Sequence, residues 1–147
     1  MKYTYPYPRP SLTVDCVLIG DSAKAHPQIM LIERKHEPFA HTWALPGGFV
    51  DPNETVEEAA ARELVEETGV VLPEAPALVG VFSKPGRDPR GWVISVAYAL
   101  HLPHQQLDPK AGDDAAQVRW FNLDELPPLA FDHADIIRKA LQTLEII

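Results

Sequence analysis

The sequence predicts an α+β or α/β sandwich in which helices pack on a mixed β-sheet. Three observations support this fold class. Short β-branched runs alternate with helical patterns, fifteen prolines fall between these segments, and no internal repeat is present. Hydrophobic residues make up 46% of the chain and charged residues 23%, a composition that supports a buried core. The length of 147 residues predicts a single domain over residues 1–147.

The first third of the chain is predicted to consist of strands and loops. Its apolar and β-branched runs are bounded by proline, glycine and polar residues, a pattern typical of short strands. The predicted segments are an extended lead-in over 1–10, a strand over 12–19, a loop over 21–28, a strand over 29–33, and a segment 39–46 that ends at Gly47 and Gly48. Two successive glycines mark a place where the backbone must turn or approach another group closely.

A capped helix is predicted after this glycine pair. Thr55 followed by Glu58 is a capping box, which starts a helix. Three alanines and Leu64 give the segment helix propensity and an apolar side. Gly69 then ends the helix as a C-cap glycine.

The remaining chain is predicted to form three strands and a closing helix. The strands cover 77–83, 92–102 and 117–122, and the turn-rich sequence KPGRDPRG separates the first two. Apolar residues recur at helical spacing over 132–145, which predicts a second helix. These residues are Ile136, Ile137, Ala140, Leu141 and Leu144.

Three glutamates crowd one face of the first helix. Glu63 lies three residues before Glu66 and four before Glu67, and like charges at these spacings destabilise a helix by about 0.2–0.5 kcal/mol per pair. Arg62 is four residues from Glu66 and offsets one of these charges. One interpretation is an acidic face in solvent. The other is a cation site, because hard divalent cations take carboxylate oxygens as ligands.

The glutamates belong to a longer pattern over residues 48–70. From Gly48 the chain has five residues, a glutamate, seven residues, Arg-Glu, an aliphatic residue, one residue, Glu-Glu, one residue, a glycine and an aliphatic residue. This pattern resembles the signature of the Nudix hydrolases at every specified position. Seven fixed identities and two aliphatic classes make a highly specific match, which favours the cation interpretation. The matching positions are Gly48, Glu54, Arg62, Glu63, Leu64, Glu66, Glu67, Gly69 and Val70.

The resemblance implies a fold, a chemistry and a metal site. The family fold is an α/β/α sandwich, and its members hydrolyse a nucleoside diphosphate linked to another moiety, by attack of water on a phosphorus. By this resemblance Glu63, Glu66 and Glu67 are expected to bind the metal, together with the backbone carbonyl of Gly47. Mg²⁺ is the expected cofactor and Mn²⁺ is the alternative, since both take oxygen ligands.

The resemblance also assigns supporting and catalytic roles. Arg62 and Glu54 are expected to orient the ligand glutamates. The catalytic base of the family is either a motif glutamate or an acid on a later loop. Glu63 is one candidate here, and Asp113 and Asp114 of the loop AGDD are the others. The alternative for that loop is a solvated turn.

The loop KPGRDPRG points to one branch of the family. Pro85 lies sixteen residues beyond Gly69, and a proline near that distance resembles the mark of the ADP-ribose pyrophosphatase branch. Lys84, Arg87 and Arg90 add positive charge within an acidic chain. Pro85 and Arg87 are therefore expected to contact substrate. The alternative is a hairpin turn with charged residues in water.

Two residues before the glycine pair are further candidates for substrate binding. Arg34 is suited to phosphate oxygens and Phe39 to stacking on adenine. The alternatives are an exposed strand-end charge for Arg34 and a core aromatic for Phe39, and Trp43 is predicted to lie in the core. The resemblance to the ADP-ribose pyrophosphatase branch implies hydrolysis of ADP-ribose to AMP and ribose 5-phosphate. A nucleoside-triphosphate or another nucleotide-sugar pyrophosphatase is the alternative.

Charge and composition limit the partners. The net charge of −8 argues against binding nucleic acid or an anionic membrane. The resemblance to the Nudix hydrolases implies a small nucleotide as the partner. The single cysteine, Cys16, forms no intramolecular disulfide, and the polar N-terminus does not resemble a signal peptide. A cytoplasmic protein is expected, as a homodimer by resemblance to the branch.

A non-catalytic ADP-ribose sensor with a DNA-binding domain is the remaining alternative. It is disfavoured because the motif carboxylates are intact and no basic segment follows.

Overall fold

The computed structural model describes residues 2–22, 24–102 and 115–146, and the structural statements below concern these residues. They form seven strands and two helices. In chain order these are β1 (Ser11–Asp21), β2 (Pro27–Arg34), β3 (Trp43–Ala44), β4 (Gly47–Phe49), α1 (Val56–Thr68), β5 (Ala77–Phe82), β6 (Val93–Leu102), β7 (Ala115–Asn122) and α2 (His133–Thr143). Neither of these helices is long and apolar enough to cross a membrane.

The seven strands form one mixed sheet. Its main order is β3-β2-β1-β6-β5, with β4 paired to β1 and β7 paired to β2. Strands β1 and β6 run parallel from the Ser11–Val93 pair to the Gly20–Leu102 pair. The other pairings are antiparallel. A parallel pair needs a long crossover, and the chain between β1 and β6, which includes α1, supplies it.

Helices cover both faces of the sheet. Successive side chains of a strand point to opposite faces, and β1 divides its apolar residues accordingly. Leu18 packs in one buried cluster with Leu64 of α1. Val17 and Ile19 pack in the other cluster with Ile136 of α2. The α/β/α sandwich with a mixed sheet that the sequence predicts is therefore confirmed.

Both ends of α1 have the predicted caps. The Thr55 side chain accepts the backbone N–H of Glu58 at 3.0 Å, and the Glu58 side chain accepts that of Thr55 at 3.1 Å. Gly69 adopts a left-handed φ of 72° and donates its N–H to the carbonyl of Val65. An N-cap of this kind stabilises a protein by about 1 kcal/mol, so the start of the glutamate helix is well determined.

The structure adds two short strands that the sequence pattern does not predict. Strands β3 and β4 contain two and three residues, too few to show an alternating pattern. β4 pairs with β1 in a register that places Gly47 opposite Asp15 and Gly48 opposite Val14. The glycine pair is therefore part of the sheet, directly below α1. Trp43 of β3 is buried, as predicted.

Candidate active site

A cleft of about 410 Å³ opens where β4, the end of β2 and the start of α2 meet. Acidic and basic side chains both line it. The acidic residues include Asp15, Glu63 and Glu67, and the basic residues include Arg34, Arg87 and Arg90. The glycine pair, Phe131 and His133 also line the cleft. The motif helix, the glycine pair and several distant residues thus share one site.

Glu67 is fixed to the strand that carries the glycine pair. The backbone N–H of Gly47 donates to Glu67 Oε1 at 2.7 Å, and Glu67 is only 5% exposed. A Cβ added at Gly47 would lie 2.0 Å from the carbonyl oxygen of Val14 and 2.8 Å from Asp15 Oδ1. The absence of a side chain therefore lets β4 approach β1 closely and brings its amide to the carboxylate.

Glu63 occupies the space next to the second glycine. Its side chain carries one of the few buried carboxylates, and the residue is 8% exposed. A Cβ added at Gly48 would lie 2.5 Å from Glu63 Oε1. Gly48 thus leaves room for the Glu63 carboxylate in the cleft.

Arg62 connects the motif carboxylates behind the cleft. It donates from Nε to Glu54 Oε2 at 2.7 Å and from Nη2 to Glu54 Oε1 at 2.9 Å. Nη1 donates to Glu63 Oε1 at 3.0 Å and to Glu66 Oε2 at 3.1 Å. Nη2 also donates to the carbonyl of Phe49. The helical spacing predicted that Arg62 offsets the charge of Glu66, and in the structure Arg62 also offsets that of Glu63.

This network has a clear electrostatic effect. Hydrogen bonds from Arg62 and from the backbone of Asp51 lower the pKa of Glu54 to about 2. The same carboxylate and that of Glu63 raise the pKa of Arg62 above its usual range. Glu54 and Arg62 therefore form a pair that stays charged near neutral pH, and Arg62 also contacts Glu63 and Glu66. Their role in orienting the ligand glutamates stays a prediction.

The donor set suits a hard divalent cation. Glu63, Glu66 and Glu67 present carboxylate oxygens on one face of α1, and the two glycines keep side chains out of the adjoining space. Within the described ranges, no three His, Cys, Asp or Glu side chains are already arranged around a common metal position. Glu66 is paired with Arg62, its side chain is 48% exposed, and it is not among the described residues that line the cleft.

Two arginines meet around one aromatic ring. The guanidinium carbons of Arg34 and Arg90 lie 5.0 and 5.1 Å from the centre of the Phe131 ring. Arg90 also lies 4.8 Å from the ring of Phe49. Burial and the nearby charge of Arg90 lower the pKa of Arg34, while Glu67 acts in the opposite direction. Two neighbouring cations at the edge of a cleft favour an anionic ligand.

Arg87 has a structural partner. It donates to both carboxylate oxygens of Asp132, at 2.8 and 2.6 Å, and its side chain is 4% exposed. This buried pair ties the KPGRDPRG loop to the start of α2. Asp88 likewise accepts from Arg90 through both carboxylate oxygens, which orients Arg90 toward Phe131.

A buried polar cluster lies at the floor of the cleft. The Leu45 N–H donates to His133 Nδ1 at 3.0 Å, and His133 Nε2 lies 3.4 Å from Asp15 Oδ1. The other Asp15 oxygen accepts the hydroxyl of Ser95. Burial lowers the pKa of His133, although the charge of Asp15 opposes this shift. Because Nδ1 accepts the Leu45 N–H, the ring carries its proton on Nε2.

The structure brings together most of the predicted site residues. Those that line the cleft are Arg34, Gly47, Glu63, Glu67 and Arg87, while Glu54, Arg62 and Glu66 form the network beside it. Phe39 contacts the Phe131 ring at 4.8 Å. Pro85 lines a neighbouring cavity with Arg87 and Asp132. Asp113 and Asp114 lie outside the described residues, so their predicted role stays a prediction.

Asp15, Phe131 and His133 were not predicted as site residues from the sequence. His133 is the first residue of α2 and lines the cleft. A signal for Asp15 was present, because it is a carboxylate inside the buried apolar strand β1. No comparable local signal marks Phe131, which reaches the cleft only through the fold.

The fold and the motif geometry define a class of protein. A sequence profile of the NUDIX domain matches residues 9–143. The chain therefore belongs to the Nudix family, and it is a Nudix hydrolase. The family resemblance predicted from residues 48–70 is confirmed.

Individual relatives add detail within that family. An ADP-ribose pyrophosphatase of Methanocaldococcus jannaschii is 48% identical over 132 residues, which cover 90% of this chain and 73% of the relative. The ADPR responsive transcriptional repressor NtrR of Acinetobacter baylyi is 32% identical over 142 residues, covering 94% of this chain and 56% of the repressor. The solved NUDIX domain of Shewanella oneidensis NrtR, complexed with ADP ribose, matches with a TM-score of 0.87 and 32% identity, covering 96% of this chain and 94% of that chain. The predicted resemblance to the ADP-ribose pyrophosphatase branch is thus confirmed as a similarity.

Proposed function

We propose that this protein is a Mg²⁺-dependent pyrophosphatase that hydrolyses ADP-ribose to AMP and ribose 5-phosphate. The observation that carries the proposal is a single cleft lined both by buried motif glutamates and by the Arg34–Phe131–Arg90 cluster. A diphosphate that joins adenosine to a ribose needs both features. The name and 48% identity of the Methanocaldococcus jannaschii relative support the same substrate.

The carboxylates of Glu63, Glu66 and Glu67 and the carbonyl of Gly47 would hold the metal. A divalent cation supplies, when bound, polarisation of a phosphoryl oxygen and activation of water as a nucleophile. The protein keeps Glu67 in place through the Gly47 amide and Glu63 through Arg62. Mn²⁺ is the alternative ion, since it takes the same oxygen donors.

The basic cluster would bind the remainder of the substrate. Arg34 is suited to the negative charge of the diphosphate, because charge-assisted hydrogen bonds to phosphate are short and strong. Arg90 lies nearby, but Asp88 engages its Nε and Nη2 groups, so it would contribute through its remaining donors. Phe131 and the neighbouring Phe39 offer aromatic faces and edges for the adenine base. Arg87 would act indirectly, because its guanidinium is engaged with Asp132.

Three acids are candidates for the base that accepts a proton from the attacking water. Glu63 is buried in the cleft and accepts a hydrogen bond from Arg62. Asp113 and Asp114 are the loop candidates. A residue that binds metal makes a poor base, which counts against Glu63. The base causes kcat/KM to fall at acidic pH, so it is identified by the one variant in which this fall is lost. E63Q, D113N and D114N are the variants to compare.

A binding module is the second candidate function. The ADP ribose complex of the Shewanella oneidensis NUDIX domain favours it, because a domain of this fold holds that ligand. The intact motif carboxylates and the higher identity to an enzyme favour catalysis here. An enzyme turns over ADP-ribose, whereas a binding module leaves it intact.

A substrate panel tests the proposal. Release of product is measured with Mg²⁺ for ADP-ribose, other ADP- and UDP-sugars, NADH, diadenosine polyphosphates and the nucleoside triphosphates. E66Q and E67Q should lose nearly all turnover, while E74Q, at an exposed site away from the cleft, should behave like the unaltered protein. Preference for a triphosphate or another nucleotide sugar would overturn the substrate assignment, and binding without turnover would support the binding module.

A cytoplasmic homodimer completes the proposal. Tyr3, Tyr5 and Tyr7 of the N-terminal lead-in are exposed, and Arg9 stacks on the Tyr5 ring at 3.8 Å. Such a cluster of aromatic side chains is suited to packing on a second copy. Light scattering should give the mass of a dimer, and a monomeric mass would contradict this part of the proposal.

A further inference from the structure

His133 has a neighbour at each of its ring nitrogens although it lies outside the Nudix motif: a hydrogen bond at Nδ1 and the Asp15 carboxylate near Nε2. It is 4% exposed and starts α2. The Leu45 N–H points at Nδ1, so this nitrogen is an acceptor, and the proton on Nε2 faces Asp15 at 3.4 Å. The tautomer and the orientation of the ring are therefore determined by its neighbours.

The Leu45 contact bears directly on the glycine pair. Leu45 is the second residue before Gly47, whose amide holds the Glu67 carboxylate at 2.7 Å. Between them, Pro46 accepts the N–H of Cys16 at 2.9 Å. The corner formed by residues 45–47 is thus hydrogen-bonded to α2 through Leu45, to β1 through Pro46 and to α1 through Gly47.

Asp15 supports the same corner from the other side. An added Cβ at Gly47 would lie 2.8 Å from Asp15 Oδ1, so this carboxylate packs against the glycine backbone. His133 and the Ser95 hydroxyl keep the Asp15 carboxylate in that position. A small shift of the His133 ring would therefore move both supports of Gly47.

We propose that His133 is a positioning residue: through its hydrogen bond from Leu45 it sets the place of the Gly47 backbone and, through that backbone, of the Glu67 carboxylate. The inference rests on the proposed function, because it concerns the metal-binding part of the same cleft. The role assigned to His133 is to position Glu67 and not to contact substrate. Its effect should therefore be seen in metal affinity and in kcat, and little in KM for ADP-ribose.

Two substitutions separate this role from simple packing. In H133N the amide oxygen takes the place of Nδ1 and can still accept the Leu45 N–H. In H133Q that acceptor is lost, although an amide can reach toward Asp15. H101Q is the matched control, because His101 also faces an aspartate, Asp21 at 3.3 Å, away from the cleft.

The measurements are Mn²⁺ affinity by calorimetry, kcat and KM for ADP-ribose, and Tm for every variant. H133Q should lose about 10–100-fold in Mn²⁺ affinity and in kcat, the range typical of residues that orient metal ligands. H133N should stay within about threefold of the unaltered protein, and H101Q should be unchanged.

Equal losses in H133N and H133Q at similar Tm would overturn the proposal, as would unaltered Mn²⁺ affinity in H133Q. If H133Q does not fold, the near-normal Mn²⁺ affinity expected of H133N still decides, since a large loss there contradicts the Leu45 argument. Lack of ADP-ribose turnover by the unaltered protein would contradict the proposed function only. The Mn²⁺ affinities would still test the role of His133.

Discussion

The same added methyl group should lower the rate of hydrolysis at Gly48 and the stability of the fold at Gly47. In G48A the new Cβ would lie 2.5 Å from Glu63 Oε1, and such contacts are essentially never shorter than 3.0 Å. The Glu63 carboxylate must therefore move by at least about 0.5 Å. It is the end of a flexible side chain, so the move costs little folding free energy but displaces a metal ligand.

The expected size of this effect follows from geometry. A misplacement approaching 1 Å in an active site costs about 100-fold in rate, which is about 2.7 kcal/mol in the transition-state free energy. We expect kcat of G48A to fall by about that factor. The free energy of unfolding should change by less than about 1 kcal/mol, because alanine also restricts the unfolded chain.

G47A is the matched control. Its Cβ would lie 2.0 Å from the carbonyl oxygen of Val14, which is backbone in β1 and has no rotamer to change. Such overpacking costs about 3 kcal/mol, which lowers Tm by about 6–12 °C for a protein of this size. The assays are steady-state hydrolysis and thermal unfolding of both variants. A G48A protein with kcat within threefold of normal, or one as unstable as G47A, would refute the reasoning.

Three further predictions concern charged side chains. Because hydrogen bonds lower the Glu54 pKa from 4.5 to about 2, its stabilising effect is present above about pH 4.5 and is lost as the pH falls toward 2. E54Q should flatten that acid dependence of the urea midpoint, and an unchanged slope would contradict the assignment. D132N should cost about 3 kcal/mol in the free energy of unfolding by urea, because it leaves the buried Arg87 without its partner carboxylate. D135N, at an exposed pair, should cost less than about 0.5 kcal/mol, and equal losses would show that burial does not matter here. R34A should raise KM for ADP-ribose by about tenfold or more with little change in kcat, and an unaltered KM would remove Arg34 from the substrate site.

Local signals explain why the sequence predicted α1 so well. Thr55, Glu58 and Gly69 act within one turn of the helix ends, so their identities are sufficient to predict its limits. Strands β3 and β4 were missed because two or three residues carry no periodic pattern. Their existence depends on pairing with β1 and β2, which the local sequence does not reveal.

The residues of the site differ in the same way, because some are marked by the local sequence and others are brought together only by the fold. The metal glutamates follow from a motif in which spacing on one helix determines proximity. Arg87 was expected at the substrate, but its partner Asp132 lies 45 residues further along the chain and became visible only in the fold. Asp15 and His133 likewise meet through tertiary packing, and no local pattern joins them.

Strand β1 makes the core and the catalytic site depend on one register. The face of β1 that packs Val17 and Ile19 under α2 is also the face that presents Asp15 to the cleft. A single inserted or deleted residue in this strand would turn each of these side chains to the opposite helix. A substitution in β1 leaves this register unchanged, whereas a change in the length of the strand would disrupt folding and catalysis together. Variation in length among proteins with this arrangement should accordingly be confined to the loops around the sheet.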